Sequence, residues 1–69
     1  MEIAKQIGEN MKVLRKAKGY TQKEITARLY MTQQQYSRFE NGVFELNYAQ
    51  ILKLCELLDT TPNEIFGVE

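Results

Sequence analysis

The sequence predicts an all-α fold, a compact bundle of five short helices. Four helix-start signatures stand directly ahead of apolar residues at helical spacing: Thr21-x-x-Glu24, Thr32-x-x-Gln35, Asn47-x-x-Gln50 and Thr61-Pro62-Asn63-Glu64. Only one proline and four glycines punctuate the chain, and no stretch alternates apolar with polar residues as a half-buried strand would. The connections left between the signatures are short, as between helices packed as neighbours.

Each element has its own justification. Ile7, Met11 and Leu14 form the stripe of the first helix, and Gly19 is placed to end it in a left-handed conformation. In the second, the Thr21 hydroxyl accepts from a free backbone N–H while Glu24 reaches back, and Ile25 and Leu29 face inward. The third opens at Thr32, turns Tyr36 and Phe39 inward and stops at Asn41-Gly42. The fourth follows Asn47 and carries Ile51, Leu54, Cys55 and Leu58 at i, i+3, i+4 and i+7. The fifth starts with Pro62 at the first helical position, where a missing N–H costs nothing.

Composition narrows the function. Sixty-nine residues make one domain, 1–69, near the lower limit of what folds without staples. Cys55 is the only cysteine and there is no histidine, so an intramolecular disulfide and the usual cysteine/histidine zinc sites are excluded. No metal or cofactor is expected. Without histidine there is no nucleophile–base pair, no glycine-rich phosphate loop is present, and the core is too thin for a substrate pocket, which argues against an enzyme. Charge interrupts every hydrophobic stretch, so neither a membrane span nor a signal peptide is read and a cytoplasmic location is the default. Net charge is zero, but it is unevenly spread: residues 1–28 carry +4 and residues 29–69 carry −4. Such a dipolar chain can offer a basic face to a polyanion.

Only Tyr30 and Met31 separate the second helix from Thr32, the cap of the third. A turn that short forces a steep crossing, the geometry of a helix-turn-helix. Arg15, Thr21-Gln22, Glu24-Ile25, Leu29, Met31-Thr32, Ser37-Arg38, Glu40-Asn41-Gly42, Ile51, Leu54, Leu58 and Glu64-Ile65-Phe66 resemble the lambda-repressor-like, Cro/XRE-type helix-turn-helix domains of phage repressors and bacterial regulators. The likeness runs from Ile7 to Phe66, and Thr32-Gln33-Gln34 is similar to lambdoid repressors that read operator bases with consecutive glutamines.

The resemblance implies a sequence-specific, double-stranded DNA-binding transcriptional regulator, a repressor, acting as a homodimer. An amide on the leading turn of a recognition helix can donate and accept together, matching adenine N6/N7 bidentately. Gln33 and Gln34 are therefore expected on bases, with Thr32 offering its methyl to thymine and Ser37 and Arg38 reaching a base edge or a phosphate. Gln22, at a helix start where free N–H groups attract anions, is expected on a phosphate. Asn41 is expected on the opposite phosphates of the half-site, with Lys23 and Lys12 as weaker phosphate contacts. Gln35 is divided between capping and DNA, and Tyr48 between capping the domain and a phosphate. Arg15 and Glu40 are expected to pair and to orient the third helix more than to stabilise it. Leu57, Phe66 and Val68, in the C-terminal region, are the dimer-interface candidates, though a short core could use them too.

The chain departs from the family pattern in three places. Thr26 stands where alanine is usual, implying a wider crossing or a back-bond to the preceding turn. Tyr30 stands where glycine is usual and must adopt positive φ if the turn keeps its shape. The loop at 43–47 has no Lys or Arg, which lowers the expected phosphate affinity, and Val43, Phe44 and Leu46 could form an apolar contact patch instead. That patch and the neutral net charge are the basis of an alternative: a protein-interaction module such as an antitoxin or anti-repressor, with a protein partner in place of DNA or beside it.

Overall fold

The computed structural model describes residues 2–68. The chain forms α1 (Glu2–Ala17), α2 (Gln22–Leu29), α3 (Gln33–Glu40), α4 (Tyr48–Leu58) and α5 (Pro62–Phe66). The expected boundaries and caps recur in detail. Thr21, Thr32 and Asn47 each accept from the N3 backbone while the N3 side chain returns to the cap, giving three complete capping boxes. At α5 only the forward half forms: Thr61 Oγ1 accepts from the Glu64 N–H at 3.3 Å, and the proline start fixes the rest.

Helix α1 packs on α3 and α5, α2 packs on α3 and α4, and α4 packs on α5. Their inward stripes meet in one core in which Met11, Ile25, Tyr36, Leu54, Leu58 and Ile65 are fully buried. Tyr36 and Phe39, one turn apart on α3, bring their rings to 5.8 Å in a tilted arrangement. Asn10 Nδ2 donates to the Ile65 carbonyl at 3.1 Å, tying α1 to α5.

The two helix-turn-helix departures resolve differently. Thr26 is buried, and its hydroxyl donates to the Lys23 carbonyl at 3.1 Å, the back-bond expected of a threonine at a close crossing. Tyr30 keeps the turn by adopting φ 55°, ψ 44°, in the left-handed region, with its ring 94% exposed. Left-handed backbone costs an L-residue about 1–2 kcal/mol, and so exposed a ring recovers little of it. Tyr30→Gly relieves that strain but adds about 0.5–1 kcal/mol of unfolded-state freedom. A small net gain in stability, under about 1 kcal/mol, is expected in thermal denaturation; a lower Tm would show that the Tyr30 ring carries packing energy. Asp59 ends α4 in the same way, at φ 51°.

Candidate nucleic-acid interface

The site is α3 and what holds it. Thr32 has extended backbone (φ −77°, ψ 152°), and its hydroxyl accepts from the Gln35 N–H at 3.1 Å. Gln35 Oε1 accepts in return from the Thr32 N–H at 3.2 Å, so its carbonyl is committed to the cap and its amide NH2 remains outward. Behind this turn Tyr36, Phe39 and Glu40 are buried on one side of α3. The other side carries Gln34, Ser37 and Arg38 at i, i+3 and i+4, with Gln33 at the tip. Thr32, Gln33, Gln34, Gln35 and Arg38 are exposed and Ser37 is half-buried. Helix α3 thus presents a solvent face of amides, a hydroxyl and one guanidinium.

The C-terminal end of α3 is fixed by a buried polar cluster. Arg15 Nε donates to Glu40 Oε2 at 2.7 Å and Nη2 to Oε1 at 3.2 Å, with the two side chains 8% and 2% exposed. Arg15 Nη1 donates to the Tyr20 carbonyl at 2.8 Å, anchoring the pair to the α1–α2 link. Gln22 Nε2 donates to Glu40 Oε1 at 3.0 Å. The half-buried Gln22 therefore bridges the start of α2 to the end of α3, and it keeps a second amide hydrogen and its carbonyl oxygen for other partners.

Burial alone would raise the Glu40 pKa, but donation from Arg15, with the nearby Tyr36 hydroxyl dipole and donation from Gln22 adding to it, reverses that and holds the carboxyl below its ordinary value of 4.5. Arg15 is held still more firmly protonated, chiefly by its hydrogen bonds to Glu40. The buried Tyr36 hydroxyl lies close enough to the pair to feel both charges yet makes no hydrogen bond of good geometry. Burial pushes its pKa far up, so it stays a neutral phenol.

Lys23 and the α3 cap Asn41 are exposed. Tyr48, 89% exposed, lies over an apolar groove that it lines with Ile51, Leu52, Pro62 and Phe66. Phe66 and Val68 are exposed, whereas Leu57 turns inward and packs partly buried against the core. The apolar patch expected at 43–46 does not form: Phe44 and Leu46 pack against the core because the loop folds back over it, leaving only Val43 exposed. Cys55 is buried, and its burial raises the thiol pKa. Among the described residues no group of three or more metal-ligating side chains converges, and no helix is long and apolar enough to cross a membrane.

Sequence reasoning missed two features. Gly8, inside α1, abuts the last carbonyls of α3; a glycine in a helix interior, where alanine is favoured, was the available signal. The Gln22–Glu40 bond left no signal, because the two residues lie 18 positions apart and each already had a sufficient role.

Two helices crossing at a tight turn, the second carrying a polar solvent face, define a helix-turn-helix protein. The chain belongs to the helix-turn-helix family of the Cro/C1 type, whose profile matches residues 11–65. It is 35% identical over 75 aligned positions to an uncharacterized HTH-type transcriptional regulator, y4dJ, of Sinorhizobium fredii, covering 97% of each chain. Its fold is similar to the crystal structure of the restriction-modification controller protein C.AhdI from Aeromonas hydrophila. That match has a TM-score of 0.86 and 26% identity, and covers 94% of this chain and 98% of the other.

Proposed function

We propose that the chain, acting as one DNA-binding unit, is a sequence-specific transcriptional regulator of double-stranded DNA and not an enzyme. It serves as a repressor, reading operator half-sites in the major groove with α3. The observation that carries this reading is the outward leading turn of α3: Gln33 and Gln34 are exposed, and among the described residues neither side chain makes a hydrogen bond that would withhold it from a base. In this reading Thr32, Gln33, Gln34, Ser37 and Arg38 face base edges, while Gln22, Lys23, Gln35, Asn41 and Tyr48 meet the phosphates. Arg15 and Glu40 orient the helix between them. Kinship with proteins described as a transcriptional regulator and a controller supports the same assignment.

One helix reads only about 4–5 base pairs, too few to select one genomic site, so two copies on a near-palindrome are the economical arrangement. The proposed homodimer surface is the C-terminal end, where Phe66 lines an apolar groove with Leu52, and Val68 is exposed. Leu57 contributes less than its sequence position suggested. The rival reading as an antitoxin or anti-repressor loses its main support, because only Val43 of its apolar patch is exposed.

Selection from a random duplex pool tests the proposal. Enrichment of a two-fold symmetric site is expected; absence of retention even at low salt rejects DNA binding and returns the protein-partner reading. On the selected site, Gln33→Ala and Gln34→Ala are each expected to relax preference at one base position by about 1–3 kcal/mol while leaving nonspecific binding nearly unchanged. Equal loss on every sequence would reject base reading by these two residues.

A further inference from the structure

The α3–α4 loop carries no cation of its own, yet it follows directly on Asn41, one of the proposed phosphate contacts. The fold brings a cation to it from elsewhere. Gly42 adopts φ +79° and lies so close to α1 that a Cβ there would stand 2.6 Å from Lys5 Cα, 2.9 Å from Lys5 N and 3.0 Å from Lys5 Cβ. Lys5, 37 positions away in sequence, therefore starts its side chain against the loop, and that side chain is exposed.

The approach is a property of the whole face of α1. Gly8, one turn on, would set a Cβ 2.5 Å from the carbonyl oxygens of Phe39 and Glu40, and Arg15 two turns further pairs with Glu40. Lys5, Lys12 and Lys16, at i, i+7 and i+11, fall within about 40° of one another around the helix, beside the edge that touches α3. Glu9 is the carboxylate at the outer margin of that stripe, and it forms no ion pair within 4.0 Å among the described residues. A basic stripe alongside a recognition helix is the electrostatic footprint of a polyanion backbone.

We propose that Lys5 binds a DNA backbone phosphate beside Asn41, supplying from α1 the positive charge that residues 43–47 lack. The proposal rests on the reading of the chain as a DNA-binding regulator. A purely structural role is the competing account, since a cation near the C-terminus of α3 also complements that helix's dipole.

The test is the salt dependence of binding by the full chain to its selected duplex. Each phosphate neutralised contributes about 0.9 to the slope of log affinity against log salt. Lys5→Gln is expected to reduce the slope by about that amount, to weaken binding to all duplexes alike and to leave the preferred sequence unchanged, with Lys5→Arg restoring the slope. Lys53→Gln, in the groove between α2 and α4, is expected to leave the slope unchanged. An unaltered slope for Lys5→Gln, with or without a fall in Tm, overturns the proposal while DNA binding stands. Failure of the parent protein to bind any duplex overturns the regulator reading and this proposal together.

Discussion

Replacing Glu40 with alanine is expected to cost about 3–5 kcal/mol of folding stability, the penalty of leaving one partner of a buried ion pair uncompensated. Glu40 accepts from Arg15 Nε, Arg15 Nη2 and Gln22 Nε2, and the Arg15 side chain is only 8% exposed. Without the carboxylate, the guanidinium keeps its bond to the Tyr20 carbonyl but remains charged, because Arg cannot lose its proton at ordinary pH. A domain of this size holds roughly 0.05–0.15 kcal/mol per residue, so the loss is comparable with the whole stability. Urea denaturation should show a variant partly unfolded in buffer. The double change Arg15→Met with Glu40→Leu should cost clearly less than Glu40→Ala, since no isolated charge remains. A single-variant cost below about 1 kcal/mol would mean that water reaches the pair.

The same group sets a pH response. A carboxyl with a depressed folded-state pKa contributes stability that is complete above its unfolded value and fades as pH falls through the folded value. For Glu40 the contribution is complete above about pH 4.5 and is lost below it. Glu24, lowered by the backbone and then the side-chain hydrogen bond of Thr21, adds loss in the same direction. The urea midpoint is therefore expected to hold steady through neutral pH and drop in acid, more steeply for the parent than for Glu40→Gln.

What was legible in the sequence was local. A capping box spans four residues and an apolar stripe two or three turns, so the helix order, the Thr21, Thr32 and Asn47 caps and the inward Tyr36 and Phe39 were readable without tertiary information. The left-handed Tyr30 was available through the family resemblance, which has glycine at that position of the turn. The Arg15–Glu40 pair was available through family resemblance alone, since nothing in the spacing of 25 residues specifies it. What stayed hidden depends on how helices meet. Whether Phe44, Leu46 or Leu57 faces solvent is decided by how the loop and α4 lie on the core, and an apolar residue in a loop reads the same either way. The inward rotation of Gln22 and the contact of Lys5 with Gly42 are likewise products of packing.

Gly8→Ala is expected to set two effects against each other, and their sizes decide the outcome. Alanine is favoured over glycine in a helix interior by about 1 kcal/mol, so propensity alone predicts a more stable α1. The new methyl, however, would lie 2.5 Å from the carbonyl oxygens of both Phe39 and Glu40 and 2.8 Å from the Glu40 carbonyl carbon. These are backbone atoms at the end of a helix and cannot rotate aside as a side chain would. To make room, α1 must move off α3 by about an ångström, and forced overpacking of this kind costs typically 1–3 kcal/mol, occasionally more. Sterics win, and a net loss of stability is expected despite the better helix former. The displacement also reaches the site. Arg15 lies two turns along α1 from Gly8 and holds Glu40 at 2.7 Å, so shifting α1 loosens the clamp that fixes the tilt of α3. If α3 reads bases as proposed, its shift should harm base contacts, which need bidentate alignment, more than phosphate contacts, which tolerate small displacements. The preference for the selected site over random duplex is thus expected to fall more than nonspecific affinity does. A variant with unchanged or higher stability and unchanged site preference would mean that α1 and α3 are not in backbone contact at Gly8, and that α3 is held in place by the Arg15–Glu40 pair without that contact.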